Sequence, residues 1–233
     1  MHFSVNKEHR DFFRKNHRIE CEGVLSHEEV NKASQGVTPA LESRLQIKKG
    51  SALAQLSSDF AFSAGRDLWR EEVSLKKIAL NRSLAEIAGE LMEQRPVRFG
   101  YDMLFPSFPL NKNVDSGYEK LVAMKPTLME MSGIQGVLCG AMVCLSGSTS
   151  DELPDSELFS KTPGSAVFFS PDFPLPMEDI KLRVGFNYLM IVYAKAKAVY
   201  VRQENPFYLL LQKQVGYQFG DRLTDVLNPI VYT

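Results

Sequence analysis

The pattern of apolar and polar positions changes character near residue 97. Before that point, apolar residues recur with the spacing of amphipathic helices. One stripe of this kind is formed by Leu84, Ile87, Ala88 and Leu91. After that point, apolar residues cluster in short runs separated by glycine and proline, a pattern typical of strands and turns. The sequence therefore predicts one domain, with a mainly helical layer over residues 1–96 and a mainly β part over residues 97–233.

Capping signals place the helices of the first part. Ser26 with Glu29 matches the capping box, in which the serine hydroxyl accepts the third amide of the helix and the glutamate reaches back. A second box opens at Ser83, and Thr38 followed by Pro39 is a further start signal. Helices are predicted over residues 6–16, 27–35, 38–47 and 66–80, and in the segment that Ser83 opens.

The predicted strands are short and rich in β-branched and aromatic residues. The first, residues 18–25, alternates polar and apolar positions as a half-buried strand does. The later runs are VRFGYDMLF, GIQGVLCGAMVCLSG, GSAVFFSP, LRVGFNYLMIVYAKAKAVYV and PFYLLLQ. Many short strands with turns between them are typical of a jelly roll or a barrel.

Composition and charge narrow the classes of function. The net charge of −1 gives no overall electrostatic reason to bind nucleic acid or anionic lipid. The N-terminus lacks the apolar core of a signal peptide, and no stretch approaches the roughly 20 apolar residues of a membrane helix. Three cysteines are an odd and sparse set, which favours a reducing compartment. These observations predict a cytoplasmic protein that does not enter a membrane.

Cysteine is a common metal ligand, and two cysteines of the chain lie close together in the sequence. Cys139 and Cys144 are five positions apart, so their side chains face opposite sides of a strand. That arrangement is unsuited to a metal site, and we expect both thiols to be buried and unreactive.

The histidines are confined to one end of the chain. All four precede residue 28: His2, His9, His17 and His27. His9 and His27 open His-x-Asp/Glu triplets, but both triplets lie in predicted helices. Residues i and i+2 of a helix point about 200° apart and cannot hold one metal ion, whereas on a strand they share a face. We therefore predict that neither triplet binds a metal.

Several segments follow an order found in a known family. They are TPGSAVFFSPDFPLP, LRVGFNYLMIVYA and VGYQFGDRLTDVLNPIVY at the end of the chain, with HRDFFRKNHRIECEGVLSHEEV near its start. In this order they resemble phytanoyl-CoA dioxygenase-like proteins, which are Fe(II)- and 2-oxoglutarate-dependent oxygenases, and the arrangement is similar to that of some chlamydial proteins of unknown function. The resemblance implies an α+β fold: a double-stranded β-helix, or jelly roll, flanked by N-terminal helices.

The resemblance also implies a site that this chain only partly carries. Working members bind Fe(II) through a His-x-Asp/Glu pair and a distal histidine, and an arginine pairs with a carboxylate of 2-oxoglutarate. Residues 101–146 and 170–181, where the iron ligands are expected, contain no histidine. Only Arg183 stands where the co-substrate arginine would be. We expect no catalytic residue, no metal ligand and loss of both Fe(II) and 2-oxoglutarate, with Arg183 either a remnant of the carboxylate site or a structural ion-pair residue.

Alternative functions rest on smaller features. Lys7, Arg10 and Arg14 form a basic stripe on the first predicted helix, opposite Phe12 and Phe13, which are predicted to face inward. Such a stripe either contacts phosphates, as in a divalent-cation-responsive DNA-binding regulator, or is a solvated face. The loop carboxylates either gather a hard cation or are solvated: Asp151, Glu152, Asp155 and Glu157.

The leading hypothesis is a pseudoenzyme. It has an oxygenase-like jelly roll without the iron triad, and it binds a small molecule or serves as an interaction module whose partner the sequence does not identify. A further alternative is an oxygenase with non-standard ligands such as Asp102. A serine or cysteine nucleophile would need a base brought to it by the fold, because the sequence places none beside it.

Overall fold

The computed structural model describes residues 3–47, 62, 64–105, 123, 125–147, 154–183, 185–201 and 216–233. The helices are α1 (Lys7–Asn16), α2 (His27–Leu45), α3 (Val73–Ala79), α4 (Arg82–Leu91) and α5 (Leu128–Met131), with 3-10 turns at Leu68–Arg70 and Met177–Leu182. The strands are β1 (Arg18–Cys21), β2 (Val97–Phe105), β3 (Ile134–Ser146), β4 (Ala166–Phe169), β5 (Asn187–Tyr200) and β6 (Ile230–Tyr232). The strand predicted at PFYLLLQ, residues 206–212, lies outside the described residues, as does His2.

Helix α2 is one continuous helix where the sequence predicts two. Its predicted start is confirmed, because the Glu29 amide donates to Ser26 Oγ at 3.3 Å and the Ser26 amide donates to Glu29 Oε2 at 2.8 Å. The helix then passes through Pro39, which removes one backbone hydrogen bond. Its buried stripe continues across the proline: Val30, Ala33, Val37, Ala40 and Leu41. Burial of this stripe outweighs the single lost bond.

The region between residues 66 and 91 starts its helices at other residues than predicted. The predicted helix over 66–80 is a short 3-10 turn followed by α3. Helix α4 is capped by Asn81, whose side-chain oxygen accepts the Leu84 amide at 3.1 Å, and not by Ser83. Asparagine is as good a cap as serine, so sequence spacing alone did not decide between them. The predicted apolar stripe of α4 is buried.

The strands form one six-stranded antiparallel sheet in the order β1-β4-β3-β5-β2-β6. The long strands β3 and β5 lie at its centre, where Ile134 pairs with Tyr200 and Ser146 with Asn187. Strand β1 ends at Cys21, earlier than predicted, because Gly23 adopts a left-handed conformation with φ of 62° and turns the chain away.

The sheet has two buried faces. Helices α1–α4 cover one, and the apolar residues there form the helix-side cluster, which includes Leu41, Ile87, Val143 and Ile191. The apolar residues of the other face form the far-side cluster, which includes Tyr101, Met103, Met142, Cys144, Tyr188 and Met190. Strand β2 is buried along its whole length because it lies between the two clusters.

The thiols behave as the spacing predicts. Cys139 belongs to the helix-side cluster and Cys144 to the far-side cluster, and both are buried and unpaired, as is Cys21. Burial raises the pKa of the Cys144 thiol to about 12, and it raises the pKa of Cys139 in the same direction. Thiolate, the reactive form, is therefore scarce at neutral pH.

We expect the native protein to resist maleimide at neutral pH and to label at all three thiols once unfolded in guanidinium. Mass spectrometry of protein labelled with and without denaturant measures this directly. Rapid labelling of any thiol in the native protein would contradict the burial described here.

Candidate functional site

Arg183 is a buried arginine at the margin of the far-side cluster. It follows the second 3-10 turn, only 1% of its surface is exposed, and its Nη2 donates to the Pro154 carbonyl at 2.8 Å. Its Nε and Nη1 have no hydrogen-bond partner in the described part of the chain. No described carboxylate lies within ion-pair distance of it; Asp155, which its charge influences weakly, binds Lys161 instead at 2.8 Å. The site therefore holds a buried positive charge with two free N–H directions.

The surroundings of Arg183 are aromatic, with a small polar strip. Its charge acts to lower the pKa of both Tyr188 and Cys144, although burial dominates and keeps both pKa values above their usual ranges. The Tyr188 hydroxyl donates to the Ser160 carbonyl at 2.9 Å, and the rings of Phe159 and Phe186 pack on Tyr188 at centroid distances of 4.9 and 5.9 Å. A guanidinium fork in such a setting suits a small anion with two oxygens, such as a carboxylate.

The far-side cluster does not offer the ligands that Fe(II) takes in oxygenases. Its members on β2, β3 and β5 are aromatic and aliphatic residues, methionines and a cysteine, and the sequence contains no histidine after residue 27. Within the described ranges, no group of three or more histidine, cysteine, aspartate or glutamate side chains is placed to hold a metal ion. The residues present therefore do not fit a two-histidine, one-carboxylate iron centre.

Asp102 does not supply a missing iron ligand. Its neighbours on β2, Tyr101 and Met103, belong to the far-side cluster, so the alternation of the strand turns Asp102 to the helix side. There its Oδ2 accepts the Trp69 amide at 3.3 Å. The alternative of an oxygenase with Asp102 as an unusual ligand has no support from this position.

The two His-x-Asp/Glu triplets lie in helices, as predicted. His9 closes the capping box of α1, where its Nδ1 accepts the Asn6 amide at 3.2 Å. His27 is the first residue of α2 and is exposed.

His17 meets a serine that sequence reasoning did not connect with it. His17 Nδ1 lies 3.2 Å from Ser170 Oγ and 3.5 Å from Asp172 Oδ1, next to the pairing of β1 with β4. The serine hydroxyl donates to Asp172 at 2.5 Å, so it is held by the carboxylate and is not presented to the imidazole as a proton to be removed. The cluster ties the end of α1 to the loop after β4, and no motif in the sequence signals it.

The predicted basic stripe of α1 faces acidic residues. Arg10 lies 3.9 Å from Glu90 and 3.8 Å from Glu93, and Arg14 pairs with Glu93 and with Asp11. These pairs join α1 to the end of α4 and neutralise two of the three cations, with Lys7 the third. The stripe gives little support to a DNA-binding surface.

The two adjacent phenylalanines of α1 differ in burial. Phe13 is buried as predicted, whereas Phe12 is 50% exposed, which corrects the prediction that both face inward. Adjacent residues of a helix point about 100° apart, so one narrow apolar stripe cannot hold both.

The loop carboxylates that are described are tied to cations. Asp155 binds Lys161, and Glu157 accepts from Arg18 at 3.1 Å. Asp151 and Glu152 lie outside the described residues. The described pair therefore gives no cation site.

No protein-family model and no curated protein sequence matches this chain. Solved structures do match it. The non-haem α-ketoglutarate-dependent carbocyclase SnoK from nogalamycin biosynthesis has a TM-score of 0.60 and 14% identity, over 97% of this chain and 96% of that chain. The epimerase SnoN from the same biosynthesis has a TM-score of 0.59 and 16% identity, over 95% of this chain and 96% of that chain. The chain shares its fold with these 2-oxoglutarate-dependent enzymes.

A chlamydial structure is also similar. CT296 from Chlamydia trachomatis matches with a TM-score of 0.51 and 15% identity, over 84% of this chain and 99% of that chain. The resemblance that the segment order predicts is thus confirmed at the level of fold. In the described part of the chain, no helix is both long enough and apolar enough to cross a bilayer.

Proposed function

We propose that this chain is a non-catalytic protein with the oxygenase jelly roll, whose far side binds a small carboxylate through Arg183 without iron. The observation that carries the proposal is the buried guanidinium with two unpartnered N–H groups. The likeness to SnoK and SnoN supports taking the six-stranded sheet as one of the two sheets of a jelly roll in a single domain. The unpaired thiols support a cytoplasmic location.

An unpaired buried cation is costly, which is why it indicates a ligand. Burial of a charge without a partner costs several kcal/mol, and each unsatisfied donor adds about 1–3 kcal/mol. A bound carboxylate would supply both the countercharge and acceptors for Nε and Nη1. Arg183 has one carbonyl partner and no carboxylate among the described residues, so a ligand explains the position better than a structural ion pair does.

The described residues on the face that holds Arg183 include no set of Fe(II) ligands, which is why we propose binding without catalysis. Methionine, tyrosine and the raised-pKa Cys144 do not bind Fe(II) as neutral imidazoles and a carboxylate do. The described residues of this face can therefore hold and orient an anion, and they include no ligand set for the iron that the oxidation step needs.

The test is calorimetric titration of metal-free protein, treated with EDTA, with 2-oxoglutarate, succinate, acetate and inorganic phosphate. We expect at least one carboxylate to bind, and we expect Arg183→Met to weaken that binding by about 10–100-fold, because a charge-assisted hydrogen bond contributes about 1.5–3 kcal/mol. The matched control is Arg82→Met on α4, an exposed arginine without a described partner, which should leave the affinity unchanged.

Two results would overturn the proposal. One is the absence of binding for every anion in the set. The other is binding that requires Fe(II) and is followed by turnover of 2-oxoglutarate, which would show that the chain forms an iron centre and is an enzyme.

A further inference from the structure

Two buried carboxyl groups lie beside β2, away from Arg183. Asp102 is 0% exposed, and Asp67, just before the first 3-10 turn, is 3% exposed. The two residues are held together by the Asp67 amide, which donates to the Asp102 carbonyl at 3.0 Å. Each carboxyl has one oxygen, Asp102 Oδ1 and Asp67 Oδ2, that has no hydrogen-bond partner in the described part of the chain.

The described residues bring one available cation to these two carboxyl groups. Arg66 Nε lies 3.9 Å from Asp67 Oδ2, and its guanidinium also lies over the Tyr101 ring, 4.7 Å from the centroid. Arg44 of α2 is close, but its Nε and Nη2 bind Glu71 at 3.0 and 2.9 Å, and its remaining contacts are to backbone carbonyls. One cation can balance one carboxylate, so the second carboxyl lacks a countercharge.

The other charged groups nearby face an aromatic ring. Arg70 lies over the Trp69 ring at 4.3 Å and donates to the Leu227 carbonyl, and Lys76 of α3 lies 5.6 Å from the same ring. Both cations therefore contact Trp69. Neither forms an ion pair with Asp67 or Asp102 in the described structure.

We propose that Asp102 keeps a proton in the folded protein because the Asp67 carboxyl lies beside it in a buried site, and that loss of this proton as the pH rises loosens residues 66–70 from β2. Two full negative charges in a site closed to water repel each other strongly, whereas one proton between them removes the repulsion and supplies a donor. The Trp69 amide donates to Asp102 Oδ2, so Trp69 lies in the segment that repulsion between the two carboxylates would displace. The inference concerns other residues than the proposed anion site and does not depend on it.

The direction of the effect follows from the pKa of Asp102. Burial first, and the charge of Asp67 second, raise this pKa well above its usual range, while the amide of Trp69 acts to lower it. The folded protein thus keeps a proton that the unfolded chain releases at the ordinary carboxyl pKa. Stability is full below that ordinary value and falls as pH rises towards the pKa of the folded state.

Trp69 makes the test local, because it is the single tryptophan of the chain. Its emission and its quenching by acrylamide are measured from pH 5 to 9.5, with far-UV circular dichroism as a check that the protein stays folded. We expect a step with rising pH in which Trp69 becomes more accessible to acrylamide while the circular dichroism stays constant. Asp102→Asn should abolish the step, and Asp67→Asn should move it to lower pH, because it removes the repelling charge.

Glu22→Gln, at an exposed glutamate, is the control and should titrate as the wild type does. If Asp102→Asn does not fold, the shift in Asp67→Asn decides the question alone. A wild-type profile that is flat up to pH 9.5, a step that persists in Asp102→Asn, or an unshifted step in Asp67→Asn overturns the proposal.

Discussion

Replacement of Arg98 by alanine is expected to lower the free energy of unfolding by about 3 kcal/mol, in the range for loss of a buried charged hydrogen-bond network. Arg98 is buried on β2, where Nε donates to the Ala196 carbonyl at 3.2 Å and Nη1 donates to the Asn228 carbonyl and to Asp225 at 2.6 Å. The side chain of Asp225 is 75% exposed, so most of the loss comes from the bonds to the two carbonyls, of which the one to Asn228 is buried.

The same substitution should release the segment that leads into β6. The Asn228 side chain donates to the Gly100 carbonyl, and the Phe99 amide donates to the Pro229 carbonyl at 2.9 Å, so Arg98 is one of several bonds that fix this segment to β2. Urea denaturation followed by circular dichroism measures the change. Arg82→Ala at an exposed site should stay within about 0.5 kcal/mol of the wild type. Equal midpoints for Arg98→Ala and the wild type would show that the network is not formed.

Replacement of Arg183 by methionine is expected to have the opposite sign. In ligand-free protein it should raise the free energy of unfolding by about 1–2 kcal/mol, because an uncompensated buried charge is exchanged for an apolar chain of similar length. Arg183 would lose its bond to the Pro154 carbonyl and its interaction with the Tyr188 hydroxyl, whereas Arg98 loses an ion pair and bonds to two carbonyls. Gain of stability with loss of ligand binding is the expected signature of a binding residue.

The measurement is again urea denaturation, with anion-free buffer for the wild type and the variant. Addition of the carboxylate that binds most tightly should then stabilise the wild type and leave Arg183→Met unchanged. A variant as unstable as Arg98→Ala would mean that Arg183 is a structural ion-pair residue, the other reading that the sequence left open.

Capping and periodicity rules predicted which helices form better than they predicted where each helix begins and ends. The capping box at Ser26 and the stripe of α4 are determined by residues a few positions apart, so the sequence contains them in full. The continuity of α2 through Pro39 could not be found in this way, because it depends on the sheet against which the helix packs. The same holds for Asn81, which competes with Ser83 for the cap on nearly equal terms.

The candidate site, too, could be predicted only in part from the sequence. Arg183 was found from its place in the order of segments, but its burial and its two unpartnered N–H groups depend on residues such as Pro154 that no spacing rule links to it. The contacts of His17 with Ser170, and of Asp67 with Asp102, join segments that are distant in the chain. The absence of histidine after residue 27 can be seen in the sequence alone, because a missing residue type needs no fold to be recognised.

The strand order has a consequence for how the chain reaches this structure. Strand β1 pairs with β4, which brings Arg18 opposite Phe169, and β2 pairs with β5. Each pairing therefore closes a long loop between strands that are distant in the chain. Few of the sheet's pairings are between neighbours in the chain, and the entropy of closing large loops has to be met before those contacts form. The topology therefore makes folding slow relative to a helical protein of this size, and it leaves the apolar strands β3 and β5 exposed to other chains for longer on the way.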